Sequence, residues 1–363
     1  MPAHFVALSD LHLGYDCSIL NDPAAQDLLV GAIADLCGGA ADRLVLNGDC
    51  FEACVPRDAG QHDVAGFPPS MAVAARSFFQ KFTDKIVCSS LVLLWGNHDY
   101  CMWQRLASSC GIGTFTNNLK GDVLLQHERQ TLPGAEGFLD DVIGPARWKF
   151  LRIRSAYPNY VLGRYWPYVV FHHGHLLDRL ILGWQPGIDY LALKILIGEG
   201  SPKVSRDGDE TIESIHRKTE PFISAMWRFN CKARAEEWAF LRRGEKSHVC
   251  AFHPAEMDSF VSKNIDYEIQ GDQLGLQAEW YATTLLMDAT TPGTIGPANV
   301  PGYLFIGHDH DGGREDLMGP DGHIMKLINL GGWTADRNEE SLHTHVSVWS
   351  EDVDKPSVHC VKV

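Results

Sequence analysis

Apolar positions in this chain fall into two patterns. Short unbroken runs at Phe5 to Leu8, Leu44 to Leu46, Leu91 to Trp95, Tyr168 to Phe171 and Tyr303 to Ile306 are each followed by glycine or a polar residue, as expected of buried strands. Wider spacing separates them. Asn21-Asp22-Pro23 opens a predicted helix whose stripe is Leu28, Leu29, Ile33 and Leu36, and Gly38-Gly39 ends it; a second helix is predicted from Met71 to Phe82. Strand, helix, strand, helix, strand is a repeated βαβ pattern, which predicts a parallel sheet.

Residues 58–69 read as a loop rich in glycine and proline, and a short helix is predicted at 103–110, with strands at 114–116 and 123–126. From Leu176 to about Pro301 the strand signal nearly disappears. Phe222, Met226, Phe229, Ala233 and Phe240 recur at helical spacing until Gly244, and Gln277 to Met287 predicts another helix. The strand pattern returns at Tyr303 to Ile306, Ile324 to Leu330, His345 to Trp349 and Val358 to Val363. The expected organisation is a core of residues 1–175 and 302–363 interrupted by a helical insertion, 176–301, whose two ends lie beside one another at the core.

Composition narrows the class. The 363 residues are 45% hydrophobic, enough for a large globular core, and the net charge of −15 argues against a general nucleic-acid binder. The ten cysteines lack paired C-x-x-C spacing and read as reduced thiols. A strand begins within a few residues of Met1 and no run approaches the ~20 apolar residues of a membrane span, so the expectation is a cytoplasmic protein without a transmembrane segment. Residues 147–166 hold Arg147, Lys149, Arg152, Arg154 and Arg164 among aromatics and no acid. That mixture fits contact with a phosphate or peripherally with a membrane surface, and equally a solvated basic face over buried rings.

The chemistry sits at the strand ends. Asp10 and His12 follow the first run, Asp49 the second, Asn97 and His98 the third, His173 the fourth, and His308 and His310 the fifth. Ligands bind outside the carboxyl ends of strands in an open α/β sheet, so these side chains are expected at one place. Oxygen and imidazole donors without thiolates suit two hard-to-borderline divalent metals, with Asp49 as the natural bridge.

In this order, Asp10-Leu11-His12, Gly48-Asp49, Gly96-Asn97-His98-Asp99, His173-Gly174-His175 and Gly307-His308-Asp309-His310 resemble the motifs of the calcineurin-like metallophosphoesterases. The resemblance spans residues 10–310 and implies a four-layer α-β-β-α sandwich carrying a dinuclear centre of Mn, Fe, Zn or Mg. It implies one metal held by Asp10, His12, Asp49 and His310, and the other by Asp49, Asn97, His173 and His308. His98 would be catalytic, while Asp99 and Asp309 would orient neighbouring imidazoles. The activity implied is hydrolysis of a phosphodiester or pyrophosphate by water activated between the metals; a phosphomonoesterase, a nuclease and a non-catalytic binding scaffold are the alternatives. Gly48-Asp49-Cys50-Phe51-Glu52-Ala53 also resembles a stretch of bacterial UDP-2,3-diacylglucosamine hydrolases, suggesting a nucleotide-sugar or lipid-linked substrate gripped by 176–301 as a cap. His98 and His175 depart from that narrower pattern, which has arginine and aspartate there, and leave the substrate open.

Overall fold

The computed structural model describes residues 4–15, 18–53, 69–109, 125–127, 142–162, 169–177, 204–205, 211, 214–225, 302–308, 313–318, 324–334, 345–350 and 357–360. They form an α/β structure with two sheets. The first has seven strands in the order β12-β11-β1-β2-β3-β5-β4: β12 is Ser357–Cys360, β11 His345–Ser350, β1 His4–Leu8, β2 Ala40–Asn47, β3 Val87–Leu94, β5 Arg152–Ala156 and β4 Leu125–His127. The second runs β6-β7-β8-β10-β9, with β6 Asn159–Leu162, β7 Val169–His172, β8 Tyr303–Ile306, β10 Ile324–Asn329 and β9 Gly313–Met318.

The predicted βαβ repeat is present: β1, β2, β3 and β5 are parallel neighbours, and helices α1 (Pro23–Cys37) and α2 (Pro69–Lys85) join the first three. In α1 the Asp22 carboxylate accepts the Ala24 N–H at 2.9 Å, Pro23 occupies the first turn, and Gly38 closes the helix with φ of 62°. Such an N-cap contributes about 1 kcal/mol. The predicted stripe is rotated: Leu28 is 60% exposed, whereas Gln26 is buried. Gln26 is tolerated because its amide donates to the Leu20 and Ala74 carbonyls and accepts from Ser77 Oγ.

Period-two alternation divides the strand side chains. Val6, Leu8, Leu44, Leu46, Leu91 and Leu93 cluster with Leu29, Val30 and Ile33 of α1 and with Phe78 and Phe82 of α2. The intervening Phe5, Ala7, Val45, Val92 and Leu94 instead share a cluster with Phe171, Phe305 and Ile328 of the second sheet. One apolar layer thus joins the two sheets, with Phe171 and Phe305 stacked at 4.8 Å.

The expected short helix is α3 (Tyr100–Ser109), and the strand expected at 123–126 appears as β4. The strand expected at 114–116, the loop at 58–68 and the helix at 277–287 lie outside the described residues. Pro69 begins α2. Three strands escape the hydrophobic pattern: β5 and β9 carry charged residues, and β6 is a four-residue strand. Of the basic run, Arg147 is buried with its guanidinium 4.1 Å from the Trp148 ring centre, Lys149 pairs with Asp84, and Arg152 is exposed on β5. Arg164 lies outside the described residues.

The insertion contributes a helix, α4 (214–225), with Ile215, Phe222 and Ile223 buried. It meets α3: Gln104 Nε2 donates to Glu220 Oε1 at 2.9 Å and to Ser224 Oγ at 3.0 Å. His216 sits edge-on to Tyr100 and Tyr157, with centroids at 6.2 and 5.2 Å. Cys37, Cys50, Cys88 and Cys101 are buried thiols, none of them in a disulfide. No described helix is long and apolar enough to cross a membrane.

Candidate metal centre

The parallel strands β1, β2 and β3 end at one edge, and the ends of β7 and β8 are hydrogen-bonded to it. Asp10 N–H donates to the Gly48 carbonyl, His12 N–H to that of Asp49 and Leu13 N–H to that of Cys50, so the segments after β1 and β2 remain paired beyond the sheet. Asn47 Nδ2 donates to the His172 carbonyl at 3.2 Å, Gly307 N–H to that of His173 at 2.7 Å, and the His308 N–H to the Asp10 carboxylate.

Backbone strain concentrates here. The non-glycine residues with positive φ among those described are Asp10 (51°), His12 (43°), Asp49 (47°) and His308 (79°). Left-handed backbone at a non-glycine residue costs on the order of 1–3 kcal/mol and survives where its surroundings over-determine it, commonly at functional sites. Crowding makes two nearby glycines necessary. Gly48 has φ of 87°, and a Cβ there would collide with the His173 ring. At Gly96 the constraint is close approach: a Cβ would meet Asp49 and His173.

Asp49 is the hub. Its Oδ1 accepts the His98 N–H at 2.8 Å, its Oδ2 lies 3.1 Å from His173 Nε2, and His12 Nε2 is 4.0 Å from the same oxygen. Asp10 Oδ1 is 3.9 Å from His12 Nε2. Two groups with ligand atoms inside 4.8 Å of one another, Asp10/His12/Asp49 and Asp49/His173/His308, share Asp49. Burial works against its ionisation, but His173, His98 and His12 hold its carboxyl well below the usual range.

His173 tests whether a cation fits. Its Nδ1 lies 3.1 Å from the Asn47 carbonyl oxygen, which can only accept, so Nδ1 carries a proton. Nε2 then faces two more oxygens, Asp49 Oδ2 at 3.1 Å and Asn97 Oδ1 at 3.2 Å. A neutral ring would aim a lone pair at a carboxylate. Either the ring is cationic, or a metal lies among these atoms. The first alternative is expressed in its pKa: burial lowers it, but Asp49 and Asp10 raise it further, to about 9. The second meets the same demand with a larger charge, and bonds of roughly 2.0–2.2 Å place ligand atoms of one ion ~3–4 Å apart, as found around Asp49. The donor set therefore fits divalent cations.

Asp10, His12, Asp49, Asn97, His98, His173 and His308 are thus brought to one edge. His310 and Asp309 lie outside the described residues. Asp99 differs from expectation: its carboxylate meets backbone, accepting Gly96 N–H at 2.6 Å, Cys50 N–H at 3.0 Å and Phe51 N–H at 3.4 Å. It ties the loop after β2 to the loop after β3. Burial and the Asp49 charge push it up to about 7, opposed by the Gly96 N–H. His172, beside the ligand candidate, accepts the Gly174 N–H on Nδ1 at 2.9 Å, and burial with the neighbouring imidazoles keeps it well below its usual pKa. His175 Nε2 lies 3.1 Å from the Tyr157 hydroxyl, in the aromatic group that includes Trp103 and His216.

Glu52 was not among the residues expected at the site. Fully buried, it receives His12 Nδ1 at 3.0 Å and His98 Nδ1 at 3.0 Å on the same oxygen, and burial is outweighed by His98 and His12, which lower its pKa to about 2. The legible signal was an acid three residues beyond Asp49 inside the apolar stretch Cys50-Phe51-Ala53. A scan of the chain against protein-family models and a search of the curated proteins found no match. The functional reading therefore rests on the chemistry of these side chains.

Proposed function

We propose that this chain is a dinuclear metal-dependent phosphohydrolase of calcineurin-like type, cleaving a phosphodiester or pyrophosphate. The observation that carries the reading is Asp49, a buried carboxylate shared by two ligand groups, facing a His173 ring that as a neutral imidazole cannot satisfy the oxygens at both of its nitrogens. Asp10, His12, Asp49 and His310 form one site in this reading; Asp49, Asn97, His173 and His308 form the other. Divalent ions held by these residues would supply positive charge for the phosphoryl oxygens and would lower the pKa of a water so that its hydroxide could attack phosphorus.

The chain's own groups do the rest. His98 is partly exposed, with a side-chain accessibility of 25%, beside the ring of His12 at 4.9 Å. With its Nδ1–H on Glu52, the doubly protonated His98 ring would meet the substrate through Nε2, give the Nε2 proton to the leaving oxygen and keep the Nδ1 proton. The shared apolar layer between the sheets, and α1 and α2 on the outer face of the first, support the four-layer α-β-β-α arrangement. Residues 176–301 act as a cap over the site, and the docking of α4 on α3, which begins two residues after His98, supports that placement.

The deciding experiment is a hydrolysis panel with Mn²⁺ comparing aryl phosphodiesters, aryl phosphomonoesters, UDP-sugars with and without acyl chains, and single-stranded DNA. Turnover of diesters or pyrophosphates, lost on chelation and regained with Mn²⁺, is the expected result. Exclusive turnover of monoesters or DNA would replace the substrate class. No turnover of any member by a chain carrying two ions would leave a binding scaffold.

A further inference from the structure

We propose that Glu52 is a positioning residue that couples loading of the metal site at His12 to the orientation of His98; this rests on the phosphohydrolase reading for its consequence in turnover, though not for its consequence in metal affinity. Glu52 Oε2 stands 3.0 Å from Nδ1 of His12 and 3.0 Å from Nδ1 of His98, and Oε1 is 3.1 Å from the latter. An ionised carboxylate only accepts, so both imidazoles carry a proton on Nδ1 and turn Nε2 away from Glu52. For His12 that nitrogen points toward Asp10 and Asp49, at 3.9 and 4.0 Å.

The clamp is built into the backbone. Glu52 N–H donates to the Leu13 carbonyl, Leu13 N–H to that of Cys50, and Leu13 pairs with Phe51 in a parallel bridge, so Glu52 and His12 approach one another from adjoining paired segments. His98 is held from the other side by its N–H on Asp49 Oδ1. Its ring stands nearly perpendicular to that of His12, at 85°. Neither ring can rotate without breaking a bond to a carboxylate that is fully buried, and an unpaired buried charge is expensive. A cation drawing on His12 Nε2 makes its Nδ1 proton more acidic and tightens its bond to the same oxygen that holds His98. The two rings therefore respond together.

The test combines Mn²⁺ binding isotherms, kcat at saturating Mn²⁺ and nitrogen-15 spectra of the imidazoles, on the full chain and on Glu52→Gln, Glu52→Asp, His98→Ala and Glu52→Gln/His98→Ala. Glu52→Gln should weaken Mn²⁺ binding by about 10–100-fold, the usual effect of removing a partner of a metal-bound histidine. It should also lower kcat in the parent but cause no further fall in the His98→Ala background, where the affinity loss persists. Glu52→Asp, one methylene shorter, should retain the Nδ1–H signal of only one of the two rings and covers the case in which Glu52→Gln does not fold. Unchanged Mn²⁺ affinity, or a kcat loss that multiplies with that of His98→Ala, would overturn the coupling. So would a third Mn²⁺ per chain that Glu52→Gln alone removes, since His12, Glu52 and His98 would then be ligands of one ion. If no substrate is turned over, the phosphohydrolase reading fails, while the affinity and spectra still decide the role of Glu52.

Discussion

The His308 N–H donates to both oxygens of the Asp10 carboxylate, at 3.1 and 3.0 Å, across 298 residues of chain. This bond joins the end of β8 to the end of β1 and so closes the centre from both sheets. The long insertion between them is tolerable because loop-closure entropy grows slowly, by about 0.6 kcal/mol per doubling of length. Asp10 also adopts φ of 51°, placing its oxygens toward His308 and His12.

Asp49→Asn should remove bound metal from both halves of the centre. The amide is nearly isosteric but lacks the charge shared by the two ligand groups. Elemental analysis after dialysis should fall from two ions per chain to fewer than one, and retention of two would exclude Asp49 as the bridge.

His98→Ala should leave the metal content at two ions and lower kcat by on the order of 10²–10⁴-fold, the range for a general acid. Its side chain meets Glu52, and its backbone N–H meets Asp49. Metal loss in this variant would make His98 a ligand, and unchanged kcat would remove it from the reaction.

Gly96→Ala should destabilise the fold by roughly 1–3 kcal/mol, the range for overpacking, because the added Cβ overlaps Asp49 and His173. The matching change at Gly313, where nothing lies within 4 Å of a Cβ, should be far milder. Urea unfolding of the two metal-free variants compares them, and equal midpoints would contradict the crowding.

His216 gives a pH dependence away from the centre. Burial lowers its pKa to about 4 in the folded chain, against ~6.5 when unfolded. The unfolded chain therefore takes up the proton first, and stability falls as pH drops from about 6.5 toward 4, at ~1.4 kcal/mol per pH unit well inside that window. In His216→Phe the loss of stability between pH 7.5 and pH 5 should be smaller by about 2 kcal/mol. Parallel curves for the two proteins would show that His216 does not carry the effect.

Gln104→Ala should loosen the insertion from the core. Its amide supplies hydrogen bonds to Glu220 and Ser224, and Glu220 Oε1 also accepts from Ser224. Amide hydrogen exchange should accelerate across 214–225 while α1 is unaffected; uniform acceleration would mean that the change acts on global stability instead.

The strand-end positions of Asp10, Asp49, Asn97, His173 and His308 were legible in the sequence because each follows an unbroken apolar run, and a buried parallel strand has that local signature. The α1 cap at Asp22 and its Gly38 stop were legible for the same reason: their causes lie within a few residues. What tertiary structure decided depends on neighbours distant in the chain. β9 is strand through pairing with β10 despite Arg314, Glu315 and Asp316, and Gln26 is buried because Ala74 and Ser77 come to meet it. Asp99 looked like a partner for imidazoles, but the loop after β2 presents backbone N–H groups to it first. Glu52 follows the same rule. Its sequence neighbours are apolar and suggest a core position, and only the approach of His12 and His98, 40 and 46 residues away, makes a buried carboxylate there stable.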